Sequence, residues 1–328
     1  MNQDQKNKII EEITKIFSGQ LSVLELIGVV YGIKPTMAEM INFNKFDKAL
    51  IKKLNKINYL CKKLSLHFVV STKKFIINSP LGIFEMVDFD DPRKGKIAVG
   101  ISKSKEDALE GVNLYYKKTL TDKGNRDFGR IMGYPECCLD FGDYLCENSK
   151  GDKDYDPNNF GFANPAVESL KRSKNFAWQC NVFTESPLSY YPCSLDCQKS
   201  IDYVNKLVKI LKKVNEHHYK FLINYLKNPV SLYWTCADRI LLYGDFKGDF
   251  EKAELKYDRL ESRLDSIEFY QQNDMKLIKE LNRVKGFIEK GNKIIMRPNY
   301  FEIFKNNKKL FKFKKENKYI PILVKPNK

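Results

Sequence analysis

The chain has no long hydrophobic run. Its best candidate, LSVLELIGVVYGI (21–33), is 13 residues long and carries Glu25, whereas a bilayer-spanning helix needs about 20 mostly apolar residues. Nor does it open on a basic stretch followed by an apolar one: MNQDQKNKIIEEITKIF mixes acids and amides with lysine, so no secretory signal is expected. A cytoplasmic protein without a membrane partner follows as the expectation. Histidine is scarce, at 3 residues in 328. The HExxH, GxSxG and GxxxxGK(S/T) patterns are all missing, which removes the zincin, serine-hydrolase and P-loop readings. DFGR at 127–130 looks like a kinase element, but its Gly-rich loop and HRD partners are missing too. No internal repeat has solenoid length.

What the chain does have is lysine, aromatics and cysteine. A length of 328 residues exceeds the usual single domain, and 43% apolar residues, including 22 Phe and 18 Tyr, are ample for a core. The net charge of +16 invites a nucleic-acid partner. Lysine, however, is spread along the whole chain, and the Lys, Asn and Ile bias matches an AT-rich genome. The densest basic stretch, KNNKKLFKFKKENK (305–318), alternates lysine with Leu310, Phe311 and Phe313, as either a half-exposed hairpin or an RNA surface would.

The periodicity predicts an α+β fold in three regions. Residues 1–115 form an N-terminal α+β region, with helices over 9–17, 21–33 and 46–64, strands over 67–78, 82–89 and 94–102, and a helix over 104–120 with Ser104 as N-cap. Residues 116–228 form a helical region bearing the cysteine motifs, with a loop at 147–165 and one long amphipathic helix over 195–226. Residues 229–328 form a β-rich region: strands over 230–246, 253–260 and 266–271, one helix over 273–291 between Asn273 and Gly291, then a meander.

In a reducing cytosol eight cysteines are better suited to metal binding or reaction than to disulfides. Cys61, Cys146, Cys180 and Cys236 lie on apolar stretches and read as small core residues. Cys137 and Cys138, in GYPECCLDF (133–141), and Cys193 and Cys197, in YPCSLDCQKS (191–200), call for a reason. Pro135 suits the first helical position, which places Cys137 and Cys138 in a first turn, where unpaired N–H groups and the helix dipole lower a thiol's pKa. Pro192 repeats the arrangement ahead of Cys193 and Cys197, with Ser194 or Asp196 as cap. If the two helix starts converge, four thiolates surround an electropositive hole suited to iron or an iron–sulfur cluster, or to a redox dithiol without metal. Zinc is the next rival. An adjacent Cys-Cys pair argues mildly against it, because neighbouring side chains are expected to diverge. The plainer alternative packs Cys138 inward with Leu145 and Cys146 and leaves Cys137 alone accessible.

Around the motifs, Asp127 and Arg130 could orient a substrate, with structural pairing as the default. Tyr134, Tyr190 and Tyr191 could wall a pocket. Asp196 could cap its helix or accept a proton near a thiol. His67 reads as a strand residue, and His217 with His218 as a solvent-facing pair too far along the helix to join Cys197.

DFGRIMGYPECCLDF (127–141) and NVFTESPLSYYPCSLDCQKS (181–200), in that order, resemble a prokaryotic domain-of-unknown-function family. It is frequent in methanogenic archaea and carries a Gly-(Tyr/Phe)-Pro-x-Cys-Cys segment and a later Pro-Cys-Ser-x-Asp-Cys-x-x-Ser segment. The likeness covers roughly 95–215. It supplies no activity; it implies an archaeal, anaerobic source in which oxygen-sensitive iron survives. The expectation is an iron or iron–sulfur protein acting on a small molecule or metallocofactor precursor in cofactor biosynthesis, such as that of the iron-guanylylpyridinol cofactor of Fe-hydrogenase, or in a related redox step. A zinc-stabilised protein that binds or modifies RNA and a metal-free thiol enzyme are the alternatives.

Overall fold

The computed structural model describes residues 1–16, 22–77, 84–117, 122–149, 164–184, 186–233, 238–264, 275–314 and 322–327. They form helices and two antiparallel sheets, the α+β class expected from the sequence. Packing divides the chain into two compact units. One comprises Met1–Asn159 with Gln198–Lys220, the other Phe160–Cys197 with Phe221–Lys328.

In the first unit a sheet of β1 (Thr36–Phe43), β2 (His67–Val70), β3 (Lys74–Ile77), β4 (Phe84–Val87) and β5 (Gly95–Ser102) is organised around β5. β1 pairs with it from Thr36↔Ser102 to Phe43↔Gly95, and β2 and β3 share its other edge. This explains the nearly unbroken apolar run of GKIAVGIS: a central strand is covered on both faces, and residues 97–102 are all buried. Helix α4 (Lys105–Lys117) lies so close that a Cβ at Gly100 would sit 2.2 Å from the Ala108 carbonyl oxygen. Ser104 caps it as expected, accepting from Asp107 N at 3.1 Å. Likewise Asp47 caps α3 (Lys48–Lys63), accepting from Leu50 N at 2.9 Å, and Ser22 caps α2 (Val23–Val30). Ahead of these, α1 (Gln3–Ile16) buries Ile10 and Ile13. β1 was not legible as a strand: Glu39 and Asn42 interrupt its apolar pattern, and only pairing with β5 makes it one.

α5 (Asp122–Ile131) and α6 (Glu136–Ser149) form a helical hairpin. Of the loop expected at 147–165, residues 150–163 lie outside the described residues, Glu147–Ser149 finish α6 and Asn164 begins α7 (Asn164–Lys171). The single long helix expected over 195–226 is instead two, α8 (Gln198–Val214) and α9 (Glu216–Lys227). Asn215 makes the break. Its backbone N–H still donates to Leu211 O at 2.8 Å, while its side-chain oxygen accepts from His218 N at 2.8 Å and so starts the next helix. Apolar spacing runs on across the junction, so periodicity alone could not reveal it.

The second unit holds a seven-stranded sheet in the order β11, β10, β9, β8, β7, β6, β12. The strand expected over 230–246 is two strands, β6 (Val230–Tyr233) and β7 (Asp238–Gly248), paired antiparallel. β7 runs on to β8 (Ala253–Leu264), and α10 (Met275–Lys290) precedes the meander β9 (Lys293–Arg297), β10 (Tyr300–Lys305) and β11 (Lys308–Lys314). The last strand, β12 (Ile322–Val324), leaves the meander for the opposite edge and pairs with β6. Leu281, Val284 and Ile288 of α10 pack on Ile294, Met296, Phe301 and Ile303 to form the core. The strand expected at 266–271, Asn273 and Cys236 fall outside the described residues.

Candidate metal centre

The residues before Cys137 build a sharp corner. Gly133 ends α5 in the left-handed region, at φ 76°, while Gly133 N donates to Arg130 O at 2.9 Å and Tyr134 N to Gly129 O at 2.9 Å. This pair of bonds is the Schellman termination, which favours glycine at that position. Pro135 then starts α6 with its carbonyl, which accepts from Cys138 N at 2.8 Å and Leu139 N at 3.1 Å. Cys137 and Cys138 are therefore the second and third residues of the helix, inside the first turn as expected. Arg126 fastens the hairpin: its guanidinium lies 2.9 Å from Glu136 and 2.8 Å from Asp140 and also bonds Asp143, all on α6.

α8 belongs to the same unit as α6, and Cys138 Sγ lies 3.6 Å from Ser200 Oγ in its first turn. Ser200 is fully buried. The turn carrying Cys193 and Cys197 is the covalent lead-in to α8. Cys197 immediately precedes the helix instead of lying within it, its N–H donating to Ser194 O at 3.1 Å. Segment 169–177 clamps this turn. Buried Leu195 donates its N–H to Ser173 Oγ at 2.5 Å and accepts from Ala177 N at 3.0 Å, and Ser169 Oγ donates to Pro192 O at 2.5 Å.

The four sulfurs converge. Sγ of Cys137, Cys138, Cys193 and Cys197 all lie within 4.8 Å of one another. Cys138 and Cys197 are buried, Cys137 and Cys193 half-buried. The two adjacent thiols, expected to diverge, point the same way with sulfurs 4.0 Å apart. Successive side chains of a helix stand about 100° apart, and here Cys138 is the one that meets α8, at Ser200. Four cysteines this close can hold a metal ion. Cys138, Leu145 and Cys146 are buried and Cys137 is half-buried, as the plainer arrangement expects, and the clustering of the four sulfurs comes in addition to it.

The neighbours play narrower parts. The Asp196 carboxylate reaches away from the helix: its Oδ2 accepts from Lys174 N at 3.0 Å and Asn175 N at 3.1 Å. Burial raises its pKa, but hydrogen bonds from Ser194 and from these backbone groups outweigh burial and hold it below the usual carboxylate range. Arg130 pairs with Asp127 at 3.8 Å and Glu136 at 3.4 Å, so both sequence candidates serve as surface pairing on the hairpin. Tyr134 packs on Phe128 and Met132. Tyr190 and Tyr191 are half-buried just ahead of Cys193, and His67 is exposed on β2. His217 and His218 lie on α9 and are not among the clustered metal-ligating side chains.

Two features escaped sequence reading. Ser200 is one; the serine ending YPCSLDCQKS carried no spacing signal that it would meet a sulfur from residue 138. The other is Cys180, read as packing. It is fully buried, and its thiol is pushed up to about 12 by burial and then by the negative charge of Cys197, Asp196 and Cys193, while a Cys197 backbone hydrogen bond acts in the opposite sense. It thus lies near Cys193 and Cys197 without being one of the clustered set.

Comparison with protein-family models, with curated proteins and with solved structures finds no match for the chain. Among the described residues no helix is long and apolar enough to cross a membrane.

Proposed function

We propose that the chain is a metal–thiolate protein in which Cys137, Cys138, Cys193 and Cys197 hold a single iron ion for one-electron chemistry in anaerobic metallocofactor biosynthesis or a related redox step. One observation carries this reading: four sulfurs within 4.8 Å of one another. A tetrahedral ion with metal–sulfur bonds near 2.3 Å places its ligand sulfurs about 3.8 Å apart, within small side-chain adjustments of that arrangement. A four-iron cubane holds its cysteine sulfurs farther apart, so the iron–sulfur alternative would require the turn and the helix start to separate. Half-exposed Cys137 and Cys193 leave one side open to a small precursor. The preference for iron over zinc rests on the expectation of an anaerobic source drawn from the two cysteine segments, since no family model matches the chain. A zinc ion fits the same four thiolates and remains the second reading, since structural zinc favours a closed Cys₄ set.

Anaerobic purification, metal analysis and visible spectroscopy test the proposal. About one iron per chain, and a visible thiolate-to-iron charge-transfer band after oxidation, are expected. A colourless protein carrying stoichiometric zinc would replace iron with zinc. A protein that stays metal-free after reconstitution with either metal would remove the centre.

A further inference from the structure

The strand segment 293–314 carries seven cations and one anion, Glu302, and the meander sorts them to one side. Ile294, Met296, Phe301, Ile303 and Phe313 enter the core against α10. Alternate residues therefore occupy the opposite face of the sheet: Lys293, Ile295 and Arg297 on β9; Tyr300, Glu302 and Phe304 on β10; Lys309, Lys312 and Lys314 on β11. The register places a cation on both sides of each aromatic ring of the middle strand. Tyr300 is opposite Arg297 and Lys314, and Phe304 is opposite Lys293 and Lys309.

The rings are turned outward. Lys312 Nζ stands 3.7 Å above the centroid of Tyr300, and Lys293 Nζ stands 5.8 Å from that of Phe304. A ring that an ammonium group can cap from outside presents its π-face to an incoming partner, and the flexible lysine can exchange the ring for a phosphate. Glu302, between the two rings, is already neutralised by Lys309 at 3.0 Å and Lys312 at 3.9 Å. Lys293 shares its charge with Glu254 at 3.0 Å. Four residues along one strand separate the rings by about 13 Å.

We propose that this sheet face is a platform for single-stranded nucleic acid, with bases stacked on Tyr300 and Phe304 and phosphates held by Arg297, Lys309, Lys312 and Lys314. Outward rings set among cations are the combination that single-stranded nucleic acid uses, because every base has a π-face and every nucleotide a charge. An acidic protein partner would need the cations but not the rings. A duplex offers phosphates but keeps its bases stacked on one another, and a membrane surface would call for apolar side chains standing clear of the sheet. The platform lies within the second unit and is independent of the cysteines.

Fluorescence anisotropy of the full chain with a labelled oligouridylate, the same length of RNA duplex and the matching deoxyoligonucleotide is the test. Tighter binding of the single strands than of the duplex is expected, weakening roughly twentyfold to fiftyfold between about 50 and 200 mM salt if three or four phosphates are held. Tyr300→Ala with Phe304→Ala should weaken it roughly thirtyfold or more, whereas Tyr300→Phe with Phe304→Tyr, which keeps both rings, should not. Should the alanine pair fail to fold, Arg297→Gln with Lys312→Gln reads the same surface through a shallower salt slope. Equal or tighter binding of the duplex, indifference to these substitutions, or no binding of either single strand at low salt would overturn the proposal.

Discussion

Replacing Cys138 and Cys197 together by serine is expected to reduce bound metal from about one ion per chain to none, because these are the two buried ligands of the four. A buried serine hydroxyl does not ionise as a thiol does, and water cannot easily take its place. Single replacement of half-exposed Cys137 or Cys193 should weaken the site less, since solvent can supply the missing ligand. Ser200→Ala removes the hydroxyl that lies 3.6 Å from Cys138 Sγ. Partners that orient a ligand in this way typically contribute tenfold to a hundredfold in metal affinity. The control is Cys61→Ala. Cys61 is fully buried in α3 and its thiol is pushed up to about 12 by burial, so it is a packing residue whose loss should leave metal content unchanged. Inductively coupled plasma analysis of the variants, with chelator competition for Ser200→Ala, provides the measurement. Because a metal that binds only the folded chain stabilises it by mass action, the double variant should also lose the rise in melting temperature that added metal gives the wild type.

The second large effect belongs to a buried charge pair that supports the cysteine corner. Lys34 and Glu25 are bonded side chain to side chain, and the lysine side chain is wholly inaccessible. Gly28 leaves room for the stem: a Cβ there would stand 2.8 Å from Lys34 Cγ. Lys34 and Pro35 in turn back onto Gly133, whose added Cβ would meet Pro35 Cδ at 2.7 Å. Below about pH 7, where Lys34 is charged, Glu25→Ala strands the ammonium and should cost about 3–5 kcal/mol in urea unfolding, whereas Glu25→Leu with Lys34→Met should be neutral or stabilising, by up to about 4 kcal/mol. Burial holds the Lys34 amine down at about 7 from its ordinary 10.5, with the Glu39 carboxylate acting in the opposite direction. Across that window the unfolded chain keeps the proton and the folded chain releases it. Stability should therefore rise with pH from about 7 towards 10, and this component should disappear in the Glu25→Leu, Lys34→Met variant. Melting curves at stepped pH, wild type against the double variant, read the difference directly.

The cysteine corner was legible because its chemistry is local. Gly133 and Pro135 specify a helix stop and a helix start within three residues, and those choices fix where Cys137 and Cys138 stand. Convergence with Cys193 and Cys197 could only be supposed, since it depends on α8 lying beside α6 and on the turn at Leu195 being clamped by residues some twenty positions earlier. Asp196 shows the limit. Its spacing fits a cap, yet its carboxylate binds the backbone of Lys174 and Asn175. Glu25 looked like a blemish in an apolar helix until Lys34 appeared beside it. β1 and the break at Asn215 were hidden for related reasons: a strand interrupted by polar residues is identified by its neighbour, and two helices with continuous apolar spacing are separated by one side-chain hydrogen bond.

X-ray absorption at the metal edge, on protein loaded anaerobically, addresses the centre most directly. The expected result is a single shell of four sulfurs at about 2.3 Å, with no bound metal left in the Cys138→Ser, Cys197→Ser protein. A shell dominated by nitrogen or oxygen, or one unchanged by that substitution, would contradict a four-cysteine site.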